Sequence, residues 1–424
     1  MYSPQAIYLA LRKRIFNSLD AAAVTNLSGE ELRNQLRQAV DVLVEKDNLP
    51  VPAMLRMDFV NRFVDEIKGL GPLQTLIDDH DISDIMVNGP DCVFIEKKGL
   101  LRKSDVRFID EEQLLGIAKR IAASVGRRVD ESQPMCDARL LDGSRVNIAI
   151  PPVAIDGTSI SIRKFNKVEL GLDDLRGFGA MSREMADLLK IASRCRLNIL
   201  VSGGTGSGKT TLLNALSQHI SETERVLTIE DAAELRLQQP HVVRMETRHA
   251  GIENTGAIHQ RDLVINSLRM RPDRIIVGEC RGGEAFEMLQ AMNTGHDGSM
   301  STLHANTPRD ALGRLESMVM MAAPNLPLDA IRRNIASAVD LIVQVSRLFD
   351  GSRKVMSITE IMGIEGNNVV LEEIFRFEPT KVLGGERIEG EFITPGLISR
   401  SSLQKKARMF GLEDQLKSVF QGVS

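Results

Sequence analysis

The stretch between residues 203 and 210 constrains the fold of this chain most strongly. It reads Gly-Gly-Thr-Gly-Ser-Gly-Lys-Thr, a complete G-x-x-x-x-G-K-[ST] pattern. The apolar run 197–202 before it predicts a buried strand, and residues 211–216 after it predict a helix. In this order, the glycines let successive backbone N–H groups turn toward a phosphate, and the helix N-terminus adds the positive end of its dipole. The pattern therefore predicts a nucleoside triphosphate site in preference to a plain glycine-rich turn or a dinucleotide fold.

Two side chains of this loop carry the expected chemistry. Lys209 is expected to reach the β- and γ-phosphates, and the Thr210 hydroxyl is expected to bind Mg²⁺. ATP and Mg²⁺ are therefore the expected substrate and cofactor. The residues predicted to surround the nucleotide are Gly203, Gly204, Thr205, Gly206, Ser207, Gly208, Lys209, Thr210 and Thr211.

Two later runs end in carboxylates. Residues 226–230 form a β-rich run that ends at Glu230, and residues 274–278 lead to Glu279. In enzymes with such a loop, neighbouring strands carry acids to the metal and to the attacking water. We expect Glu279 to bind Mg²⁺ through water and Glu230, on the adjacent strand, to polarise the attacking water, and the sequence leaves an exchange of the two roles open. A single acid at a strand end is more commonly a solvated turn residue, but two beside a phosphate loop favour a catalytic function.

Two histidines, His296 and His304, flank a strand-like run. A metal pair is disfavoured, because no cysteine or carboxylate stands at ligand spacing from them. They are expected to sense the γ-phosphate at a strand end, and the alternative is that they are core histidines with satisfied hydrogen bonds.

The residue pattern divides the chain into four parts. Residues 1–75 predict a helical segment, in which Ser28 and Glu31 form a capping box ahead of Leu32, Leu36, Val40 and Leu43. Residues 76–165 predict a small α+β domain, and residues 166–179, rich in Gly and Asp, predict a linker. Residues 180–424 alternate helices and strands, which predicts an α/β domain whose mostly parallel sheet is covered on both faces.

The expected elements follow from this division. In the α+β domain the predicted strands are 84–89, 92–96, 144–150 and 159–163, with a helix at 111–125. In the α/β domain they are 197–202, 226–230, 242–246, 274–277, 299–304 and 341–345. A hairpin of residues 355–361 and 368–377 and a final helix at 412–420 are expected to follow.

Composition limits the partners. The net charge of −4 and the absence of Trp disfavour a general phosphate-backbone binder and an aromatic platform for single strands, so no nucleic acid is expected. The four cysteines are far apart, which disfavours a zinc site and suits a reducing cytosol. No apolar run approaches the roughly 18 residues of a membrane span. We therefore expect a soluble, cytoplasmic protein that reaches a membrane only through a partner.

Together these motifs resemble those of the type II/type IV secretion ATPases, and most closely those of the tight-adherence (Tad) pilus branch, the TadA/CpaF type. Four boxes agree in order: the loop at 203–210, an aspartate box at 228–234, an atypical Walker B at 275–281 and a histidine box at 294–304. Upstream, residues 84–89, 141–145 and 159–165 also agree. The resemblance covers about residues 70–380, and the tetracysteine zinc element of pilus-extension relatives is absent, so no zinc is expected.

The resemblance implies a fold and a site. It implies a homohexameric ring in which a RecA-like P-loop ATPase domain follows the smaller N-terminal domain, with the nucleotide lying between them. It also implies that Arg145 and Arg163 reach the phosphates, where a guanidinium would stabilise transition-state charge. The alternative is that each is an exposed strand arginine. Arg244, Arg248 and Arg281 are weaker candidates, for contacts across a subunit interface.

The resemblance further implies a mechanical function. Members of this branch act on the cytoplasmic face of the inner membrane, dock on platform proteins, and use ATP hydrolysis to extract pilins for Flp-type pili or for secretion. One alternative is a RecA-like hexameric nucleic-acid motor, which DNA-stimulated hydrolysis would indicate. Another is a nucleotide-binding regulatory subunit without turnover, which the set Lys209, Thr210, Glu230 and Glu279 disfavours.

Overall fold

The chain divides into two compact units, Met1–Asn166 and Lys167–Ser424. The computed structural model describes residues 4–18, 27–97, 99–140, 142–164, 169–248, 255–383, 387–397 and 400–421. Leu141 and Phe165 of the upstream motifs, the predicted boundary at 165 and the first three residues of the predicted linker lie outside the described residues. The four-part division therefore stays a prediction.

Helices and one antiparallel sheet build the described part of the first unit. Its helices are α1 (Pro4–Ser18), α2 (Gly29–Lys46), α3 (Ala53–Lys68), α4 (Gln74–Asp78) and α5 (Glu111–Ser124). Its strands are β1 (Ile82–Asn88), β2 (Val93–Lys97), β3 (Leu100–Lys103), β4 (Met135–Arg139), β5 (Arg145–Ala149) and β6 (Ser159–Arg163). The six strands lie in the order β3-β2-β1-β6-β5-β4. Strands β3 and β4 are not among the predicted ones.

The capping box at the start of α2 is confirmed. The Glu31 backbone N–H donates to Ser28 Oγ at 3.2 Å, and the Ser28 N–H donates to the Glu31 carboxylate at 2.8 Å. Both bonds satisfy N–H groups that have no partner within the helix. The buried face then carries Leu32, Leu36, Val40 and Val44, whereas Leu43, predicted for that face, is half-buried.

In the described part of the second unit, nine strands form one large sheet. Its strands are β7 (Ile199–Gly203), β8 (Val226–Glu230), β9 (Val242–Glu246), β10 (Arg274–Val277), β11 (Met300–Leu303), β12 (Leu341–Arg347), β13 (Arg353–Glu365), β14 (Asn368–Leu383) and β15 (Arg387–Ile393). Its helices are α6 (Leu172–Gly177), α7 (Arg183–Arg194), α8 (Lys209–Ser217), α9 (Gln260–Ser267), α10 (Glu284–Asn293), α11 (Pro308–Ala322), α12 (Leu328–Ala338), α13 (Ser402–Met409) and α14 (Glu413–Gln421).

The sheet order is β15-β14-β13-β12-β7-β11-β10-β8-β9. The six strands from β12 to β9 are parallel, and β12 to β15 form an antiparallel extension. Alternate residues of β7 enter different cores: Ile199 and Val201 pack with α7 and α8, while Leu200 packs with α10 to α12. The predicted parallel sheet covered on both faces is therefore confirmed.

The predicted strands 226–230, 242–246 and 274–277 match β8, β9 and β10 residue for residue. The two strands of the predicted hairpin, β13 and β14, are both longer than expected. Strand β15, which pairs with β14, and the helix α13 are not among the predicted elements. Part of the predicted linker is structured, because Leu172–Gly177 form α6 and Leu172 is buried in the second unit's core. Within the described residues, no helix combines the length and the apolar character needed to cross a membrane.

Candidate functional site

The phosphate loop connects β7, which ends at Gly203, to α8, which begins at Lys209. Gly206 and Gly208 adopt φ angles of +69° and +97°, a region that is strained for residues with a Cβ. This backbone path explains why the motif needs glycine at these two positions. The predicted strand–loop–helix context of the motif is therefore confirmed.

Lys209 is held inside the site. Lys209 is only 8% exposed, and its Nζ donates to the Gly204 carbonyl oxygen at 2.9 Å. The same Nζ lies 3.4 Å from His304 Nε2. The lysine therefore joins the start of the loop to the carboxyl end of β11, the neighbouring strand in the sheet. Thr210 and Thr211 follow Lys209 in the first turn of α8.

A row of charged and polar side chains continues from Lys209 along the carboxyl ends of the strands. Glu279 Oε1 lies 2.8 Å from His304 Nε2, and the Arg281 guanidinium donates to Glu279 Oε2 at 2.9 Å. Arg281 Nη1 in turn lies 3.6 Å from Asp231 Oδ2. The loop, the Walker B-like run, the aspartate box and the histidine box thus meet at one edge of the sheet, as expected for the carboxyl ends of parallel strands.

The protonation of His304 is shifted by this environment. Burial, together with the positive charge of Lys209, lowers the pKa of His304, while Glu279 opposes the shift. At neutral pH the imidazole is therefore mainly uncharged. An uncharged ring between an ammonium and a carboxylate can change hydrogen-bond partner without changing its charge.

Glu230 is the most buried acid of the site. Its residue is 3% exposed, and Oε1 accepts hydrogen bonds from the backbone N–H groups of Glu234 at 2.7 Å and Leu235 at 2.8 Å. Burial raises the pKa of Glu230 to about 7, and the two backbone donors partly oppose this rise. A carboxyl group with that pKa exchanges its proton near neutral pH, which suits an acid–base group.

Gly278 makes room for Glu230. A Cβ atom at position 278 would stand 2.8 Å from Glu230 Cγ, closer than nonbonded carbon atoms approach. A Walker B strand usually ends in an aspartate, and this sequence has Gly278 at that position. The structure explains the glycine by the lack of space for a side chain there. The neighbouring strand's glutamate fills the space that a side chain at position 278 would occupy.

Both glutamates keep one buried oxygen without a hydrogen-bond donor among the described residues. These atoms are Glu230 Oε2 and Glu279 Oε1. Glu279 Oε1 lies close to His304 Nε2, but the two groups are not aligned for a hydrogen bond. A buried carboxylate oxygen without a donor is costly unless water, a cation or a ligand satisfies it. The Glu279 carboxylate and the Thr210 hydroxyl both offer oxygen atoms, the ligand type that Mg²⁺ prefers.

His296 lies away from this edge. It precedes β11, whereas His304 follows it, so the two histidines belong to opposite ends of that strand. His296 Nδ1 lies 3.2 Å from the Ala291 carbonyl oxygen, and the His296 carbonyl oxygen accepts a hydrogen bond from Ser299 Oγ at 2.7 Å. Within the second unit, the structure brings His304 but not His296 to the phosphate loop.

Arg145 and Arg163 lie in the first unit. They are direct cross-strand partners on β5 and β6. On its other side, Arg145 is paired with Arg139 of β4, and Arg163 is paired with Asp84 of β1. Directly opposed residues share a face of the sheet, so three arginines form a row that ends at one aspartate. A shallow cavity of about 250 Å³ includes Asp84, Arg145 and Arg163 in its lining. Sequence reasoning missed Arg139, because β4 was not predicted.

Two further arginines lie against the phosphate loop. Arg353 Nε donates to the Gly206 carbonyl oxygen at 2.9 Å, and Arg347 Nη1 lies 3.5 Å from the position that a Cβ on Gly206 would take. These residues end β12 and begin β13, and Arg353 lies 147 positions after Gly206. No sequence motif marks them, because only the pairing of β12 with β7 brings them there.

The weaker arginine candidates are placed as follows. Arg281 belongs to the charged row, Arg244 is exposed on β9, and Arg248 Nε donates to the Gly256 carbonyl oxygen at 2.7 Å. Of these three, only Arg281 contacts other residues of the candidate site in the described part of the unit.

Comparisons with known proteins agree with this geometry. Residues 66–374, well over half of the chain, match the family model described as type II/IV secretion system protein. A Mycobacterium tuberculosis protein with the provisional name conjugal transfer protein is 38% identical over 307 residues, 71% of this chain and 87% of its own length. The type IV secretion system protein VirB11 of Bartonella henselae is 32% identical over 328 residues, 68% of this chain and 91% of its own length.

A solved structure shows the same fold. The Yersinia pseudotuberculosis ATPase DotB matches with a TM-score of 0.50 at 18% identity, covering 82% of this chain and 84% of that one. The predicted α/β class with a RecA-like P-loop ATPase fold is thereby confirmed. With the family model, the two relatives and the assembled motif boxes in agreement, this chain belongs to the family of type II/IV secretion system ATPases.

Proposed function

We propose that this chain binds ATP with Mg²⁺ at the phosphate loop and hydrolyses it to drive a pilus-assembly or secretion machine of the Tad/Flp type. The observation that carries the proposal is the row from Lys209 through His304 to Glu279, with Glu230 buried on the adjacent strand. This row joins the group expected to bind the β- and γ-phosphates to Glu279, the acid expected to serve the metal, and Glu230, expected to serve the water, lies on the adjacent strand.

The residues present suit ATP and Mg²⁺. Residues 203–211 would hold the phosphates through backbone N–H groups, Lys209 and the N-terminus of α8. Thr210 and Glu279 would hold Mg²⁺, which neutralises phosphate charge when bound. The oxygen atom of Glu279 that lacks a donor supports this assignment.

Glu230 is proposed to accept a proton from the attacking water. Its pKa of about 7 suits that role better than the value of an ordinary carboxylate would, because a stronger base at neutral pH takes a proton more readily. His304 is proposed to sense the γ-phosphate, since its ring contacts both Lys209 and Glu279. Arg145 and Arg163 are proposed to stabilise the negative charge of the transition state.

The remaining parts of the proposal concern assembly. We propose a homohexamer that docks on platform proteins at the cytoplasmic face of the inner membrane and acts on pilin subunits through them. The agreement of the four motif boxes with the Tad branch supports this assignment, and the names of VirB11 and of the conjugal transfer protein connect related chains to multi-component transfer machines.

Purified variants test the catalytic part. Lys209→Ala is expected to lose ATP binding, whereas Glu230→Gln and Glu279→Gln should bind ATP and lose at least about 100-fold in phosphate release, since each removes a group needed only for turnover. Glu222→Gln, an exposed acid on the same unit, is the matched control and should retain activity. Normal hydrolysis by both site glutamate variants would refute the assignment.

Light scattering on the same samples, with and without ATP and Mg²⁺, tests the assembly. A hexamer whose hydrolysis does not respond to DNA is expected. A monomer or dimer with DNA-stimulated turnover would instead indicate a nucleic-acid motor, and the proposed secretion function would fail.

A further inference from the structure

The turn between β12 and β13 lies beside the phosphate loop. Arg353 Nε donates to the Gly206 carbonyl oxygen at 2.9 Å, and Arg353 Cδ is 3.4 Å from where a Cβ on Gly208 would stand. At the other end of the turn, Arg347 Nη1 lies 3.5 Å from the corresponding position on Gly206. Residues 348–352 therefore connect an arginine that is hydrogen-bonded to the loop with a second arginine that lies beside it.

The positions of the charged row indicate how the proposed nucleotide is oriented along the sheet edge. Lys209 Nζ lies 3.4 Å from Nε2 of His304, which follows β11. Glu230 ends β8 and Glu279 follows β10, and these strands all lie on one side of β7 in the sheet. The terminal phosphate therefore belongs to that side. The nucleotide's other end, its ribose and base, must leave the loop elsewhere, and β12 is the strand that pairs with the opposite edge of β7.

An exposed aromatic side chain stands on that side. Phe349, in the β12–β13 turn, is 67% exposed, although large apolar side chains favour burial. The backbone around it is well held: the Leu348 N–H donates to the Ser352 carbonyl at 2.8 Å. Asp350 accepts from the N–H groups of Ser352 at 3.0 Å and Ile388 at 2.9 Å. The turn thus presents the ring on a fixed backbone.

From these observations we infer that Phe349 stacks on the purine base of the bound nucleotide, so that the β12–β13 turn forms the base side of the site. This inference rests on the proposed nucleotide binding at residues 203–211 and adds the residue that recognises the base. A purine offers a flat aromatic face, and a chain without Trp has few side chains that can match it.

Competition binding on the full chain tests this inference. A fluorescent ribose-labelled ADP is bound first and then displaced by ADP or by inorganic tripolyphosphate, which has no base. Phe349→Ala is expected to weaken ADP about tenfold, equivalent to about 1.4 kcal/mol, and to leave tripolyphosphate unchanged. Phe349→Tyr should keep the affinity for ADP, because its ring can stack in the same way. Phe410→Ala, also an exposed aromatic of the second unit, is the matched control and should change neither.

The outcomes separate the two proposals. Unchanged ADP affinity in Phe349→Ala, or equal weakening of both ligands, would overturn the base contact while leaving the phosphate site intact. If the unaltered chain bound neither ligand, or if Lys209→Ala left both affinities unchanged, the proposed nucleotide site itself would fail, and the base contact with it.

Discussion

At the scale of single residues, the candidate site contains a buried carboxyl group with an unusual pKa. Glu230 ends β8 and is nearly inaccessible, with a pKa raised to about 7 by burial from an ordinary value of 4.5. The folded chain therefore holds a proton on this group at pH values where the unfolded chain has released it. Such a group costs stability at neutral and alkaline pH, a cost that is typical of functional sites.

Replacing Glu230 with glutamine tests this cost. Folding takes up a proton between about pH 4.5 and 7, so the contribution of Glu230 to the free energy of unfolding falls as pH rises through that window. Glu230→Gln should therefore gain stability over the unaltered chain as pH rises from 5 to 8, reaching at most about 3 kcal/mol. Chemical denaturation of the ligand-free protein at both pH values measures it. A stability difference that shrinks toward pH 8 would contradict the raised pKa.

Gly278 gives a second test at this scale. Gly278→Ala would place a Cβ 2.8 Å from Glu230 Cγ, so Glu230 must shift or the strands must separate. We expect a loss of about 1–3 kcal/mol in stability together with slower ATP hydrolysis. Gly282→Ala is the control, because its Cβ would meet its nearest atom at an ordinary 3.4 Å. Equal behaviour of the two variants would show that the close approach is unimportant.

At the scale of elements, strand β10 is anchored by a buried ion pair at its first residue. Arg274 is 0% exposed, and its Nε and Nη2 donate to the two Glu224 oxygens at 2.7 and 2.9 Å, while Nη1 donates to the Ser193 carbonyl at 2.8 Å. This pair holds β10 to the segment before β8 and to the end of α7. It therefore helps to set the register in which Glu279 and Glu230 emerge at the opposite edge of the sheet.

Breaking this pair should be costly. Glu224→Gln leaves the buried guanidinium without its counter-charge, and the expected loss is about 3–5 kcal/mol, because an unpaired buried charge is poorly solvated. Thermal unfolding at neutral pH checks it. Glu222→Gln, two positions away but exposed, should change the midpoint little. If both variants melted alike, the pair would not stabilise the strand.

At the scale of the whole molecule, the proposed catalytic residues come from both compact units. The second unit carries the loop, Glu230, Glu279 and His304, while Arg145 and Arg163 pair across β5 and β6 of the first. A group that acts only in the transition state is expected to change turnover without changing nucleotide affinity.

This expectation can be measured with Arg163→Ala. The variant should lower kcat about 1,000-fold, the lower end of the effect of a transition-state arginine, and keep the ADP dissociation constant within about threefold. Arg128→Ala removes an exposed arginine from the same unit and is the control. Unaltered kcat in Arg163→Ala would identify it as an exposed strand arginine, the alternative raised by the sequence.

How far the sequence predicts the molecule depends on how local each signal is. The capping box at Ser28 and the bounds of β8, β9 and β10 were predictable, because caps and short apolar runs depend on neighbouring residues. Strands β3, β4 and β15 were missed because most of their residues are polar or exposed and owe their conformation to pairing with other strands. The two histidines were predicted as equals, but strand direction separates them.

By itself, the sequence determined the phosphate loop, the acids at the strand ends and the parallel α/β class, since each is written in contiguous residues. The tertiary structure alone decided that Glu230 lies against Gly278, that Lys209 meets His304, and that Arg347 and Arg353 lie beside the loop. These pairs are separated by between about 50 and 150 positions, and strand order and register bring them together. Local preferences do not specify that order, because it results from burying both faces of one sheet at once.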